Sequence, residues 1–402
     1  MKVIGLISGT SHDAIEAVAT TITLRGQDLH VTVLAHVSVA YDEALRRRIA
    51  AALPPASTSF DEVCQLDTAI GRAFADVASD LNDRFFHGLA DVVGSHGQTA
   101  FHWVDGGRVR GTLQVGQPAW IAESTGATVV ADVRARDITL GGQGAPLVSL
   151  LDVLLLGART TATGASRTAA ALNLGGIANL TVVAPDVPPI AFDVGPANAL
   201  LDAATAWTTN GADAFDRDGA RAARGTVNRA MLDELLREPY YALSPPKSTG
   251  KELFNLTYVR HHLGNRDLVA EDLLATLSEL TAATVADAVR AHDVDELFVS
   301  GGGLHNSDLM TRIRRRLDGV RVSSTHALGI DPDAKEAVLI AVIGFLTVHG
   351  LTGTIPSCTG ARRASVLGTI TPGRRQPRRL SEAHQPRTVH VSTPGLTPSE
   401  LP

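Results

Sequence analysis

Six residues after a short apolar run, Ser8-Gly9-Thr10-Ser11-His12-Asp13, offer backbone N–H groups, hydroxyls and a carboxylate within one turn. Following the strand-like Val3 to Ile7, such a turn suits the phosphates of a nucleotide, with Asp13 able to hold a metal ion or its water. It is not a Walker A loop, because no Lys follows and the glycine spacing differs. The same composition fits an ordinary structural turn.

Other residues could join it in chemistry. Asp193 ends the apolar stretch Ile190 to Phe192 and precedes Gly195-Pro196, so its carboxylate can project into a cleft as a base or cap the helix that starts near Pro196. Gly301-Gly302-Gly303 follows the buried-strand pattern Glu296 to Ser300 and leads to Asn306. Backbone there can approach a flat ligand, with a helix N-terminus behind it, or can simply turn. Gly175-Gly176 ends another strand in the same way. His96 and Gln98 lie in a glycine-flanked segment after Val92-Val93, placed to hydrogen-bond hydroxyls or to be satisfied inside the core. Arg134 and Arg136 alternate, which in an extended segment puts both on one face. Their planar forks suit a carboxylate ligand, or an ion pair with Asp132 or Asp137. Glu336, near a helix start, either faces a cleft or answers the helix dipole.

The elements that must position these groups form two similar sets. Residues 2–7, 16–23 and 29–40 read as three strands of a meander, followed by helices from Tyr41 to Leu53 and from Phe60 to about Leu81. Short strands at 112–115 and 128–131 flank a helix begun by Pro118. The second set opens near residue 168 with strands ending at Leu174, Val183 and Phe192, then helices over 197–208, 225–237, 257–264 and 270–292. A strand over 296–300, a helix from Asn306 and a helix over 333–349 close it. Each set opens with a strand, a small-residue turn and a returning strand.

A chain of 402 residues favours two domains, and its 44% hydrophobic and 19% charged residues describe a globular protein. The net charge of −6 argues against a general nucleic-acid or anionic-membrane binder. Neither a membrane span nor a signal peptide is expected. The two cysteines make no disulfide framework or metal pattern, so a cytoplasmic protein is expected, with Cys64 buried in a helix. Residues 374–402, with five prolines and five arginines, read as a disordered tail.

Together the segments resemble the anhydro-N-acetylmuramic acid kinase family, a branch of the actin, heat-shock ATPase and sugar-kinase superfamily. The resemblance covers roughly residues 3–373. Besides the opening turn it rests on Gly94-Ser95-His96-Gly97-Gln98-Thr99, Ala131-Asp132-Val133-Arg134-Ala135-Arg136-Asp137 and Gly141-Gly142-Gln143-Gly144-Ala145-Pro146-Leu147. It continues through Asn173-Leu174-Gly175-Gly176-Ile177-Ala178-Asn179-Leu180, Phe192-Asp193-Val194-Gly195-Pro196 and Pro245-Pro246-Lys247-Ser248-Thr249-Gly250. Gly301-Gly302-Gly303 with Asn306 and Asp333-Ala334-Lys335-Glu336-Ala337 complete it.

The resemblance implies a duplicated, actin-like α/β ATPase fold (ribonuclease H-like), with two domains around a central cleft. Residues 1–145 would form the first domain and 146–373 the second, ahead of the tail. It implies an ATP-dependent kinase that opens the 1,6-anhydro ring of anhydro-N-acetylmuramic acid with water and phosphorylates the 6-oxygen, with Mg²⁺ and as a homodimer. Asp193 stands where the family carries its general base. Gly9 to Glu16, including Ala14 and Ile15, would cover the ATP phosphates, with Asp13 reaching Mg²⁺ through water. Gly175, Gly176, Gly301, Gly302, Gly303 and Asn306 would complete the ATP site. His96, Gln98, Arg134 and Glu336 would meet the sugar, Arg134 through its lactyl carboxylate.

The chain departs from the family pattern at Ala14 and Glu16, where Gly and Asp are usual, and at Ala197 and Gln117. Two other readings stand beside the first: a kinase of a related anhydro or amino sugar, and a nucleotide-gated binding protein without turnover. The retained Asp13, Asp193 and Glu336 speak against the last.

Overall fold

The computed structural model describes residues 1–402 apart from 10, 11, 54, 55, 107, 163–166, 378, 379, 381 and 395–402. The chain divides into two compact units, Met1–Ala158 with Leu328–Pro402, and Arg159–Ala327.

The first unit opens with β1 (Lys2–Ser8), β2 (Ala14–Arg25) and β3 (Asp28–Ala40), an antiparallel meander. Helices α1 (Glu43–Ala52) and α2 (Phe60–Phe86) follow, begun by the side-chain caps Asp42 and Ser59. In α2 the buried Leu66, Ile70, Phe74, Val77 and Leu81 recur at helical spacing. Then come β4 (Val92–Asp105), β5 (Arg108–Val115), α3 (Pro118–Thr125), β6 (Thr128–Ala131), α4 (Ala135–Thr139) and α5 (Ser149–Ala162). Strands β4 and β6 extend the meander in parallel beyond β1.

The second unit repeats this order. Its strands β7 (Ala169–Leu174), β8 (Ile177–Val183) and β9 (Ile190–Pro196) form an antiparallel meander. Helices α6 (Asn198–Thr208), α7 (Arg229–Leu235), α8 (Leu256–Leu263) and α9 (Ala270–Ala291) follow. Then β10 (Glu296–Ser300), α10 (Ser307–Arg316) and β11 (Arg321–Ser324) close the sheet, β10 and β11 running parallel to β7. The orders β3-β2-β1-β4-β6 and β9-β8-β7-β10-β11 match strand for strand, which is a duplicated, ribonuclease H-like α/β fold.

The chain then returns to the first unit with α11 (Lys335–Val348), α12 (Pro356–Thr359), β12 (Thr369–Thr371) and β13 (Thr388–Ser392). Helix α11 is buried along nearly its whole length and lies against β1 and β4. Gly5 and Gly94 pair across those strands, and there the helix needs the missing side chains. A Cβ at Gly5 would lie 2.1 Å from the Ala337 carbonyl, and one at Gly94 2.4 Å from that of Ile340. This close seat fixes the start of α11, which carries Glu336.

Four expectations are corrected. The domain boundary falls after Ala158 rather than 145, and residues from 328 belong to the first unit, because α11 completes that unit's core. The segment 374–402 is not wholly without structure: β13 pairs in parallel with β3 and buries Val389, while Arg375 donates to the Thr125 carbonyl. Cys64 is exposed, on the outer face of α2, and the helix expected over 225–237 is limited to 229–235.

Candidate active site

The first unit gathers one group of expected residues around the β1–β2 turn. Ser8 is buried and its hydroxyl lies 2.7 Å from Gln98 Oε1 and 2.9 Å from the Ala14 carbonyl. Gln98 in turn donates to the Gly9 and Thr99 carbonyls at 3.1 and 3.3 Å. Gln98 is 1% exposed, so its amide holds the turn from beneath instead of meeting a sugar hydroxyl. His12 takes the left-handed backbone conformation (φ 47°) and its N–H closes the turn onto the Gly9 carbonyl. Ala14 already belongs to β2, so the usual glycine is not needed there. Thr10 and Ser11 lie outside the described residues. Asp13 is exposed beside the turn, while Ile15 points into the core. Glu16 is engaged by β3: His36 Nε2 lies 2.7 Å from one carboxylate oxygen, and the Ser38 hydroxyl donates to the other at 2.5 Å.

Arg134 is not extended. It takes helical φ/ψ at the start of α4, so alternation does not put it beside Arg136, which is exposed. Its Nε donates to His96 Nε2 across 2.8 Å and an Nη to the Gly144 carbonyl at 2.7 Å. A guanidinium cannot accept, so His96 Nε2 is the acceptor and its proton sits on Nδ1, directed at the Gly97 carbonyl 3.0 Å away. Burial, reinforced by Arg134, pushes His96 down to about 3, so the ring is neutral. Both ring nitrogens are therefore spent within the protein, and His96 serves to orient Arg134. Asp137, fully buried, accepts from the Gly144 N–H and the Thr359 hydroxyl and so shapes the loop on which Arg134 rests. Glu336 feels the positive charge of Arg134 and Lys335, which opposes the upward push of desolvation on its carboxyl. Desolvation is the larger influence, so the carboxyl lies above its ordinary value. Behind it Lys335 is buried against Asp152 at 2.6 Å, anchoring the first turn of α11.

The second unit presents Asp193 on β9. Along β7, β8 and β9 the residues Leu172, Leu174, Ala178, Leu180, Phe192 and Val194 turn to one buried core, which leaves Asn173, Asn179 and Asp193 on the other face. The register shifts at Ala178/Asn179, a bulge that aims the end of β9. Each carboxylate oxygen of Asp193 has one donor: Asn179 Nδ2 at 2.7 Å and the Thr249 N–H at 2.9 Å. The Tyr240 hydroxyl donates to the Asp193 carbonyl at 2.7 Å, and the Asp193 N–H donates to that of Lys247. Desolvation pushes the carboxyl up to about 6 against the pull of its two donors, and the nearby Glu252 pushes the same way. The N-terminus of α6 is capped instead by the Gly175 and Gly176 carbonyls, so Asp193 is not its cap.

The glycines separate by role. Gly301 (φ 84°) and Gly303 are packed on the end of β7, where a Cβ would lie 2.5 Å from Asn173 Oδ1 and 2.7 Å from Leu174 Cβ, respectively. Gly302 has open space, its nearest neighbour 3.9 Å away, and Gly175 and Gly176 have nothing closer than 3.5 Å. Asn306 caps α10 through the Leu309 N–H. Ala197 buries its methyl in the core and Gln117 caps α3, so neither departure intrudes on these groups.

Asn179, Thr249, Tyr240 and Asp137 are the residues that sequence reasoning did not single out as functional. The signal for Asn179 was an amide inside a mostly apolar strand.

A sequence profile of the anhydro-N-acetylmuramic acid kinases matches residues 1–373. The chain belongs to that family. Its relatives include the anhydro-N-acetylmuramic acid kinase of Streptomyces coelicolor, 55% identical over 394 residues, covering 97% of this chain and 99% of the relative. That of Streptomyces avermitilis is 57% identical over 375 residues, with 93% and 95% covered. That of Rhodococcus erythropolis is 53% identical over 400 residues, with 97% and 99% covered. Membership makes the chain a kinase, with a sugar and ATP as its substrates. Among the described residues no helix is long and apolar enough to cross a membrane.

Proposed function

We propose that this kinase acts on anhydro-N-acetylmuramic acid, opening the 1,6-anhydro bridge with water and transferring the γ-phosphoryl group of ATP to the released 6-oxygen. Water attacks C1 and gives a proton to the Asp193 carboxylate as the C1–O6 bond breaks. The O6 anion then takes the γ-phosphoryl group, the bond to the β-phosphate oxygen breaks, and ADP leaves. The products are N-acetylmuramic acid 6-phosphate, ADP and the proton carried off by Asp193.

One observation carries this reading: a half-buried carboxylate near 6, held by one donor on each oxygen, on the polar face of a strand in a chain of this family. Each oxygen keeps a lone pair for water. A base in this range is ionised at neutral pH and still able to take a proton.

The remaining residues bind and orient. Gly9 and the turn pinned by Gln98 would carry the phosphates. Gly302, with open space, suits close approach of the nucleoside. Arg134 spends two of its five N–H donors on His96 and Gly144 and keeps the rest for the lactyl carboxylate. Asp13 is a single exposed carboxylate, and no cluster of three metal-binding side chains exists among the described residues. That donor set fits Mg²⁺ bound mainly by substrate phosphates and water, with Asp13 as an outer ligand. When bound, Mg²⁺ would neutralise phosphate charge. Water activation is left to Asp193.

The test is product analysis by mass spectrometry with ATP, Mg²⁺ and anhydro-N-acetylmuramic acid. A sugar phosphate heavier than the substrate by one water and one phosphoryl group supports the reading. A phosphorylated sugar with its anhydro bridge intact, or no product, overturns it.

A further inference from the structure

Asn173, Asn179 and Asp193 stand directly opposite one another on three adjacent strands, β7, β8 and β9. Asn173 Nδ2 donates to Asn179 Oδ1 at 3.3 Å, and Asn179 Nδ2 donates to Asp193 Oδ1 at 2.7 Å. At the far end Asn173 Oδ1 lies where any side chain at Gly301 would clash. We propose that Asn179 is a positioning residue for the Asp193 base, and that Asn173 acts through it by fixing which way the Asn179 amide points. The inference rests on the reading of Asp193 as the base.

The row has one polarity. An amide has one end that donates and one that accepts. A carboxylate needs the donating end of Asn179, which turns the Asn179 oxygen toward β7. Only a donor can face that oxygen, and Asn173 supplies it. Flipping either amide would set oxygen against oxygen. A side chain at Gly301 would run into the Asn173 amide, so the glycine leaves that end of the row its place.

The groups facing Asp193 from its other neighbours cannot replace this contact. The 245–250 segment gives the Thr249 N–H to the second oxygen, while the Lys247 ammonium is turned to the Tyr240 and Tyr241 carbonyls. The Tyr240 hydroxyl is used on the Asp193 backbone, and Glu252 brings only like charge. His292 packs against the ring of Phe192. Asn179 is therefore the sole side-chain donor to the carboxylate among the described residues.

The experiment compares pH profiles of kcat for wild type, Asn179→Ala, Asn179→Asp and Asn173→Ala, alongside KM for both substrates and thermal melts. Losing the donor should move the acid limb upward by about half to one pH unit in Asn179→Ala, and further in Asn179→Asp, which keeps the volume but adds a like charge. Asn173→Ala should move it the same way by less. KM for both substrates should stay within about threefold, with kcat at neutral pH down about tenfold. Acid limbs unchanged in folded Asn179 variants would overturn the proposal, since a merely structural role lowers the melting temperature alone. An unmoved limb in Asn173→Ala alone would remove Asn173 from the row. Asp193→Asn serves as the control: if it turns over normally, the base reading has failed, whereas an inactive Asp193→Asn with unshifted Asn179 variants sinks only the positioning role.

Discussion

Arg134 donates its Nε proton to Nε2 of His96, and that bond decides the chemistry of both residues. It makes the histidine a neutral acceptor with its own proton on Nδ1, and it holds the guanidinium in one orientation above the Gly144 turn. A hydrogen bond to a charged group contributes about 1.5–3 kcal/mol. Replacing His96 by Ala should therefore raise KM for the sugar roughly 10- to 100-fold, with KM for ATP little changed. Steady-state kinetics with each substrate varied checks this. A rise in the ATP constant alone would contradict the assignment.

Gln98 predicts the opposite split. Gln98→Ala removes the donor to Gly9 and the partner of Ser8, freeing the phosphate turn. KM for ATP should rise and stability should fall by about 1–3 kcal/mol, since buried partners lose their bonds. Isothermal calorimetry with ADP and chemical denaturation measure the two effects.

The glycines offer a contrast between packing and ligand approach. Gly5→Ala puts a methyl into the Ala337 carbonyl and should cost about 1–3 kcal/mol or prevent folding. Gly302→Ala meets open space and should fold with stability within about 0.5 kcal/mol of wild type. The same Gly302 variant should bind ATP more weakly. Denaturation midpoints and nucleotide titration test both arms.

Asp193 links function to stability through pH. Its carboxyl is pushed up to about 6 in the folded chain, so below the unfolded value near 4 the native state loses nothing by its presence. As pH rises through about 6, ionisation in a desolvated site removes stability, by about 1–3 kcal/mol in total. The stability of Asp193→Asn relative to wild type should therefore climb between about pH 4 and 7 and level off above. Urea denaturation across that range checks the trend. A flat difference would mean that the carboxyl titrates normally.

Local patterns disclosed much of this. The meanders, the glycine turns and the helix starts at Phe60 and Pro118 are set by local spacing and composition, which reveal them. The partners that give the site residues their roles are distant. Arg134 and His96 are 38 residues apart, and alternation misplaced Arg134 because α4 begins there. Strand β13 is only five residues long within a Pro/Arg-rich stretch, and its partner β3 lies at the other end of the chain. No periodicity of that length announces a strand. Asn179 was visible as an amide in a mostly apolar strand, but its place beside Asp193 depends on cross-strand register.

The most direct measurement is the single-turnover rate of Asp193→Asn against wild type, with ATP, Mg²⁺ and anhydro-N-acetylmuramic acid at saturation and ADP and sugar phosphate both quantified. Loss of a general base should slow the variant roughly 10²- to 10⁴-fold while its nucleotide affinity stays close to wild type. A variant that forms N-acetylmuramic acid 6-phosphate within about tenfold of the wild-type rate would contradict the account, because water activation would then not depend on Asp193.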